Sequence, residues 1–121
     1  MNESETRADL IDPLLAQAGW GADSESKILR EYHVTDGRIQ SGKVRGSRMI
    51  ADYILVYRNR KVAIIEAKSL EKAIGEGVAQ AKLYAQKLDL PLAFTSNGKE
   101  IYSIHMRTGH EELVTAFPTP L

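Results

Sequence analysis

Glu66 and Lys68 are the residues whose types and spacing first suggest chemistry. Two apart on an extended chain, their side chains leave the same face, roughly 7 Å from each other along the strand. A second acid, Asp52, opens the preceding apolar segment. Two carboxylates on one face make a hard-oxygen site suited to Mg²⁺, which keeps several waters and needs only one or two protein carboxylates. A cation held there neutralises a phosphate, lowers the pKa of a bound water and orients it for in-line attack. A lysine alongside positions that nucleophile or offsets charge developing on phosphorus. Glu-x-Lys alone is a weak signal: Glu25-Ser26-Lys27 repeats it after a polar loop, and we assign that copy no function. From the triplet alone a surface ion pair at a strand end is the better explanation; the apolar run leading into Glu66, with Asp52 beginning the preceding strand, makes the two readings even.

The elements that must position these groups are the clearest in the chain. Residues 50–57 (IADYILVY) and 62–67 (VAIIEA) read as strands, joined by a connection short enough only for an antiparallel hairpin. The second is apolar on both faces, as a doubly covered central strand is. Glu66 thus emerges where a buried strand ends, the usual ligand position in an open α/β sheet. Register decides whether the acids meet. A three-residue loop at 58–60 sets Tyr57 against Lys61 and, carried down the hairpin, Asp52 against Glu66. A one-residue slip sets Asp52 against Ala67 and sends the carboxylates to opposite faces. A shared site requires the first register, or a bulge with the same effect.

Around the hairpin, residues 4–18 predict a helix with Ser4 as its cap, a kink at Pro13 and a left-handed C-cap at Gly19. Residues 28–34 predict a strand. Residues 70–88 predict a second helix, with Gly75 and Gly77 near its start signalling close backbone packing or a later beginning. Strand 62–67, this helix and strand 92–96 form a βαβ crossover with parallel strands. Asn97-Gly98 suggests a type I′ turn into strand 101–106. Residues 117–121 read as a linker-like tail. The expected fold class is α/β, a single mixed β-sheet flanked by helices, in one domain spanning residues 1–121.

Composition narrows the function. With 16 basic and 16 acidic residues the formal net charge is +0, so contact with nucleic acid requires a local patch. Arg38, Lys43, Arg45 and Arg48 supply one, as a phosphate-contacting arm or as a merely solvated loop. The absence of cysteine removes disulfides, thiolate zinc sites and thiol nucleophiles. His33, His105 and His110 show no ligand spacing. No apolar run approaches a bilayer span and the N-terminus is acidic, so the expected location is cytoplasmic, with no membrane contact.

Asp52 followed by Glu66-Ala67-Lys68 resembles the signature of PD-(D/E)XK nucleases, with Ala51 at the proline position. Glu5-Thr6-Arg7, Leu10-Ile11-Asp12-Pro13, Ala18-Gly19-Trp20, Ala51-Asp52-Tyr53, Gln80 with Tyr84, and Thr95 through Glu100 resemble, in order, the nuclease domain of the R subunit of type I restriction enzymes. The resemblance spans Glu5 to about Phe117. It implies a restriction-endonuclease-like core and Mg²⁺-dependent cleavage of DNA, with Mn²⁺ as a substitute ion. Asp52, Glu66 and Lys68 are the implied catalytic residues, Asp52, Glu66 and Glu5 the implied metal ligands. Gln80 and Tyr84 match an element that contacts DNA or braces the lysine. The implied partners are double-stranded DNA, translocase domains of the same polypeptide, and modification and specificity subunits. Such R subunits continue into an ATP-driven motor. This chain has no phosphate-cradling Gly-x-x-x-x-Gly-Lys-Ser/Thr loop, so ATP belongs only to such motor domains and residues 1–121 read as the N-terminal part of a longer subunit. Two alternatives stand beside this reading: a non-catalytic DNA-binding or docking module of the same fold, and a repair or junction-resolving nuclease of the same superfold.

Overall fold

A computed structural model describes residues 2–34, 49–70 and 74–120. The basic stretch carrying Arg38, Lys43, Arg45 and Arg48 lies outside the described residues.

Six strands form one mixed sheet in sequential order: β1 (Ser26–His33), β2 (Ile50–Tyr57), β3 (Arg60–Ala67), β4 (Leu92–Ser96), β5 (Ile101–His105) and β6 (Glu111–Val114). Only β3 and β4 run parallel, as the expected crossover requires. β6 was not anticipated: its Glu-Glu-Leu-Val sequence is half polar, as suits an exposed edge, and gives little periodic signal.

The N-terminal helix covers one face of the sheet. It is built from α1 (Glu3–Thr6), a π-helical turn (Arg7–Ile11) and α2 (Asp12–Ala18). Pro13 has no N–H for the regular ladder and its ring crowds the preceding turn; the helix widens just before it, with Asp12 N–H reaching back to the Arg7 carbonyl. Asn2, rather than Ser4, is the cap, because Glu5 three residues on completes a capping box with it. Gly19 ends α2 in the left-handed conformation, as expected. Ile11, Leu15 and Trp20 bury themselves against Tyr53, Leu55, Ile65 and Phe94.

The opposite face is covered by α3 (Val78–Leu88), through Ala81, Tyr84 and Ala85 against Ile54, Ile64, Ala93 and Ile104. α3 begins later than residue 70, after a 3₁₀ turn at Ile74–Gly77. Gly77 explains the delay in part: a Cβ there would stand 2.5 Å from the hydroxyl of buried Thr95 and 3.2 Å from Cε of Lys68.

Two further expectations are corrected. Asn97-Gly98 is not a two-residue type I′ turn. Ser96 pairs with Ile101 across a four-residue loop, in which the Asn97 side chain accepts from the N–H groups of Lys99 and Glu100. The tail is not a free linker. Phe117 is buried edge-to-face on Phe94 at 5.5 Å, and the Pro118 carbonyl accepts from the Trp20 indole at 2.8 Å. Its prolines suit a linker, but its Phe117 side chain completes the core.

Candidate active site

The β2–β3 hairpin reaches the register that unites the acids by an unexpected route. Its turn has two residues, Arg58 and Asn59, with φ of 50° and 64°, the left-handed pair of a type I′ turn. That turn opposes Tyr57 to Arg60 and, continued unbroken, would set Asp52 against Ile65. A bulge then intervenes: Val56 pairs with Lys61 but Leu55 with Ala63, leaving Val62 as the extra residue. From there Tyr53 pairs with Ile65, and the next step sets Asp52 across from Glu66.

At that step the side chains take over the ladder. The Asp52 N–H donates to Glu66 Oε2 at 3.1 Å, and the Ala67 N–H donates to Asp52 Oδ2 at 2.8 Å. Each acid therefore ties itself to the backbone of the other's strand, which fixes both carboxylates at the mouth of a fork. Glu66 is 4% exposed and the Asp52 side chain 12%. Burial pushes Glu66 up to about 8, with the neighbouring Asp52 charge adding to the effect; the Asp52 N–H and Lys68 oppose it. Burial also raises Asp52, against the opposing pull of the Ala67 N–H, Arg7 and Lys68. The fork thus pairs a buried acid, Glu66, with a half-buried one, Asp52, that Arg7 already faces.

Lys68 leaves β3 two residues beyond Glu66. Its N–H donates to the Ser96 carbonyl at 2.9 Å, extending the parallel pairing, and its stem lies under Gly77 at the start of α3. Gln80 and Tyr84 are joined to each other, with the Gln80 amide donating to the Tyr84 hydroxyl at 2.7 Å while the Tyr84 ring packs in the core. Glu5 is exposed and not brought to the fork; its carboxylate accepts from the Asn2 N–H at 2.9 Å. The α1 acid whose charge bears on Glu66 is Glu3. His33, His105 and His110 are exposed. Among the described residues, no group of three or more His, Cys, Asp or Glu is arranged to hold a metal.

Three neighbours of the fork have no role assigned from the sequence, although Thr6 and Arg7 lie within the Glu5-Thr6-Arg7 match. Arg7 Nη1 lies 2.7 Å from Asp52 Oδ1, while its Nη2 faces Glu31 at 3.8 Å and the Ser4 hydroxyl at 3.4 Å. Glu31 sits in β1 between the pairs Arg30↔Tyr53 and Tyr32↔Ala51, hence opposite Asp52, with φ of 50°. A glutamate in that conformation costs on the order of 1 kcal/mol, a strain that clusters at functional sites. Buried Thr6 ties the N-terminal helix to the segment after Lys68, accepting from the Leu70 N–H at 3.2 Å and donating to the Asn2 carbonyl. Ser4, Arg7, Asp12, Arg30, Glu31 and Asp52 line a cleft of about 200 Å³ beside the fork. On its far wall Tyr53 donates its hydroxyl to Asp12 at 2.7 Å.

Residues 31–112 match the family model described as the second domain of the type I restriction enzyme EcoKI endonuclease subunit. The type I restriction enzyme EcoAI endonuclease subunit of Escherichia coli is 38% identical over 101 residues, 77% of this chain and 12% of that protein. Among solved structures, a fragment of a putative HsdR subunit of a type I restriction enzyme from Vibrio vulnificus YJ016 superposes with a TM-score of 0.86 at 40% identity. The match covers 99% of this chain and 24% of that one, so the chain spans a minor part of each relative. No described helix is long and apolar enough to cross a membrane.

Proposed function

The chain belongs to the endonuclease-subunit family of type I restriction enzymes, and from that premise we propose that it is the Mg²⁺-dependent module that hydrolyses DNA phosphodiester bonds. The observation that carries this reading is the fork: two carboxylates held out of bulk solvent, each tied to the other's strand, with the Lys68 charge bearing on both. The donor chemistry fits the ion. Mg²⁺ accepts one or two protein carboxylates and completes its shell with water and phosphate oxygens, so a third protein ligand is not needed. The raised position of Glu66 supports the same view, because a divalent cation beside it would favour the ionised carboxylate.

When bound, Mg²⁺ neutralises the scissile phosphate and makes an attacking water more acidic. The protein's own groups do the rest. Asp52 and Glu66 hold the site near the ends of two interior strands, locked by backbone N–H groups that leave little rotamer freedom. Lys68 orients the nucleophile or meets the charge that grows on phosphorus. Gly77 allows the lysine stem to lie close under α3, while Gln80 and Tyr84 brace that helix or meet the DNA. The partners follow the family: double-stranded DNA, the motor domains of the same polypeptide, and modification and specificity subunits, in the cytoplasm.

A cleavage assay tests this in an assembled restriction complex whose endonuclease subunit carries the substitution. Glu66→Gln and Lys68→Ala each lower DNA cutting by more than about 100-fold, with complex assembly and ATP turnover unchanged. Normal cutting by either variant refutes the assignment. A second reading, a domain that keeps this fold to dock on DNA without cutting, draws on the Arg7–Asp52 ion pair, which already neutralises one acid. It predicts full cutting by both variants, with the cleavage chemistry elsewhere in the complex.

A further inference from the structure

Arg7 holds the one Asp52 oxygen that the backbone leaves open. Asp52 Oδ2 is committed to the Ala67 N–H, while Oδ1 faces Arg7 Nη1 at 2.7 Å. A divalent cation shared by Asp52 and Glu66 competes with that guanidinium for the same carboxylate, and two cations on one oxygen repel each other. The guanidinium also has somewhere else to go. Its second nitrogen already points to Glu31, at 3.8 Å, and to the Ser4 hydroxyl at 3.4 Å.

Glu31 looks built for that role. It stands across the β1–β2 ladder from Asp52, just as Glu66 stands across the β2–β3 ladder. Its backbone takes a left-handed conformation that a glutamate in a strand rarely adopts. Its side chain is 71% exposed, so neither packing nor burial accounts for the distortion. What the distortion achieves is a carboxylate at the cleft rim within reach of Arg7.

Resting on the reading of the fork as a metal site, we propose that Arg7 is a displaceable stand-in cation: it neutralises Asp52 in the metal-free protein and swings to Glu31 and Ser4 when a divalent ion binds. The swing turns the guanidinium toward the cleft between α1 and β1, where a phosphate of bound DNA meets it. Arg7 and Glu31 are positioning residues in this scheme, acting on the metal site through Asp52.

Calorimetric titration of Mn²⁺ into the 121-residue chain tests the exchange, with every form held at the same pH. Four forms are compared: wild type, Arg7→Met, Glu31→Gln and the double variant, each verified as folded by thermal melting. Arg7→Gln replaces Arg7→Met if the latter does not fold. Removing the competitor tightens Mn²⁺ binding by about tenfold, and removing the berth weakens it by roughly threefold, within the range of coupling between contacting residues. In the Arg7→Met background, Glu31→Gln has no effect, because no arginine needs the berth. Weaker binding by Arg7→Met overturns the proposal, as does an equal effect of Glu31→Gln in both backgrounds, which marks a general field rather than an exchange. If wild type and all variants bind no Mn²⁺, the metal-site reading itself falls and takes the exchange with it. If wild type binds and only the cycle is additive, the site stands and the exchange alone is rejected.

Discussion

The two ends of the β2–β3 hairpin both carry charged residues, in opposite circumstances. At the turn end, Arg58, Arg60 and Lys61 stand in water, and Arg58 meets Glu25 at 3.6 Å with both side chains more than half exposed. At the fork end, Glu66 is buried and Asp52 half-buried, both bonded to backbone N–H groups and flanked by Arg7 and Lys68. The same two strands connect them. Exposed charges are screened and interchangeable; buried ones shift each other's protonation and fix geometry. The contrast locates chemistry by environment, since charge alone marks both ends.

The largest expected effect is on the pH dependence of stability. In the metal-free protein Glu66 keeps its proton up to about pH 8, whereas the unfolded chain releases it near the ordinary value of 4.5. Between those values the folded form binds more protons, so the contribution of Glu66 to stability is fully present at and below pH 4.5 and is lost as pH rises toward 8, by on the order of 2–4 kcal/mol. The raised position of Asp52 acts in the same sense at the lower end of the window. Urea melts from pH 5 to 8.5 measure the slope, which Glu66→Gln or saturating Mg²⁺ flattens. Arg58→Ala leaves it unchanged.

Gly77→Ala comes next. The added methyl meets the buried Thr95 hydroxyl, so overpacking of roughly 1–3 kcal/mol outweighs the gain in helix propensity. Chemical denaturation reads the loss. Gly75→Ala, whose Cβ meets nothing within 4 Å, is the control that stays neutral or gains stability.

Much of this architecture was readable from residue order, for identifiable reasons. The apolar run ending in Glu66 marks a buried strand, and period-two geometry then forces the choice of register that unites the acids or parts them. The way that register is reached was not readable. Arg58-Asn59 lacks the glycine that signals a left-handed turn, and the bulge at Val62 falls in a run with no irregularity of composition. Arg7 and Glu31 were missed because their meeting with Asp52 joins segments far apart in the chain, and no local pattern encodes it. Glu5 is different: Asn2-x-x-Glu5 is a capping-box spacing, a legible sign that its carboxylate serves the helix end. Proline in the tail suggested a linker, although Phe117 was the only large aromatic after Tyr102 and had to be covered somewhere.

Two smaller effects sharpen the contrast between the hairpin ends. Glu31→Gly relieves a left-handed glutamate near the fork and raises stability by about 1 kcal/mol, seen as a higher Tm. Arg58→Ala, which breaks the exposed pair with Glu25 at the turn, changes stability by less than about 0.5 kcal/mol in the same melts. A turn-end substitution with an effect as large as those near the fork dissolves the distinction.

The most direct measurement is a Mn²⁺ titration by calorimetry of wild type, Asp52→Asn and Glu66→Gln at one pH. Heat of binding in wild type that vanishes in both variants, while Arg60→Ala retains it, is the predicted result. Undiminished binding in either acid variant contradicts the account, because the fork would then not be where the cation sits.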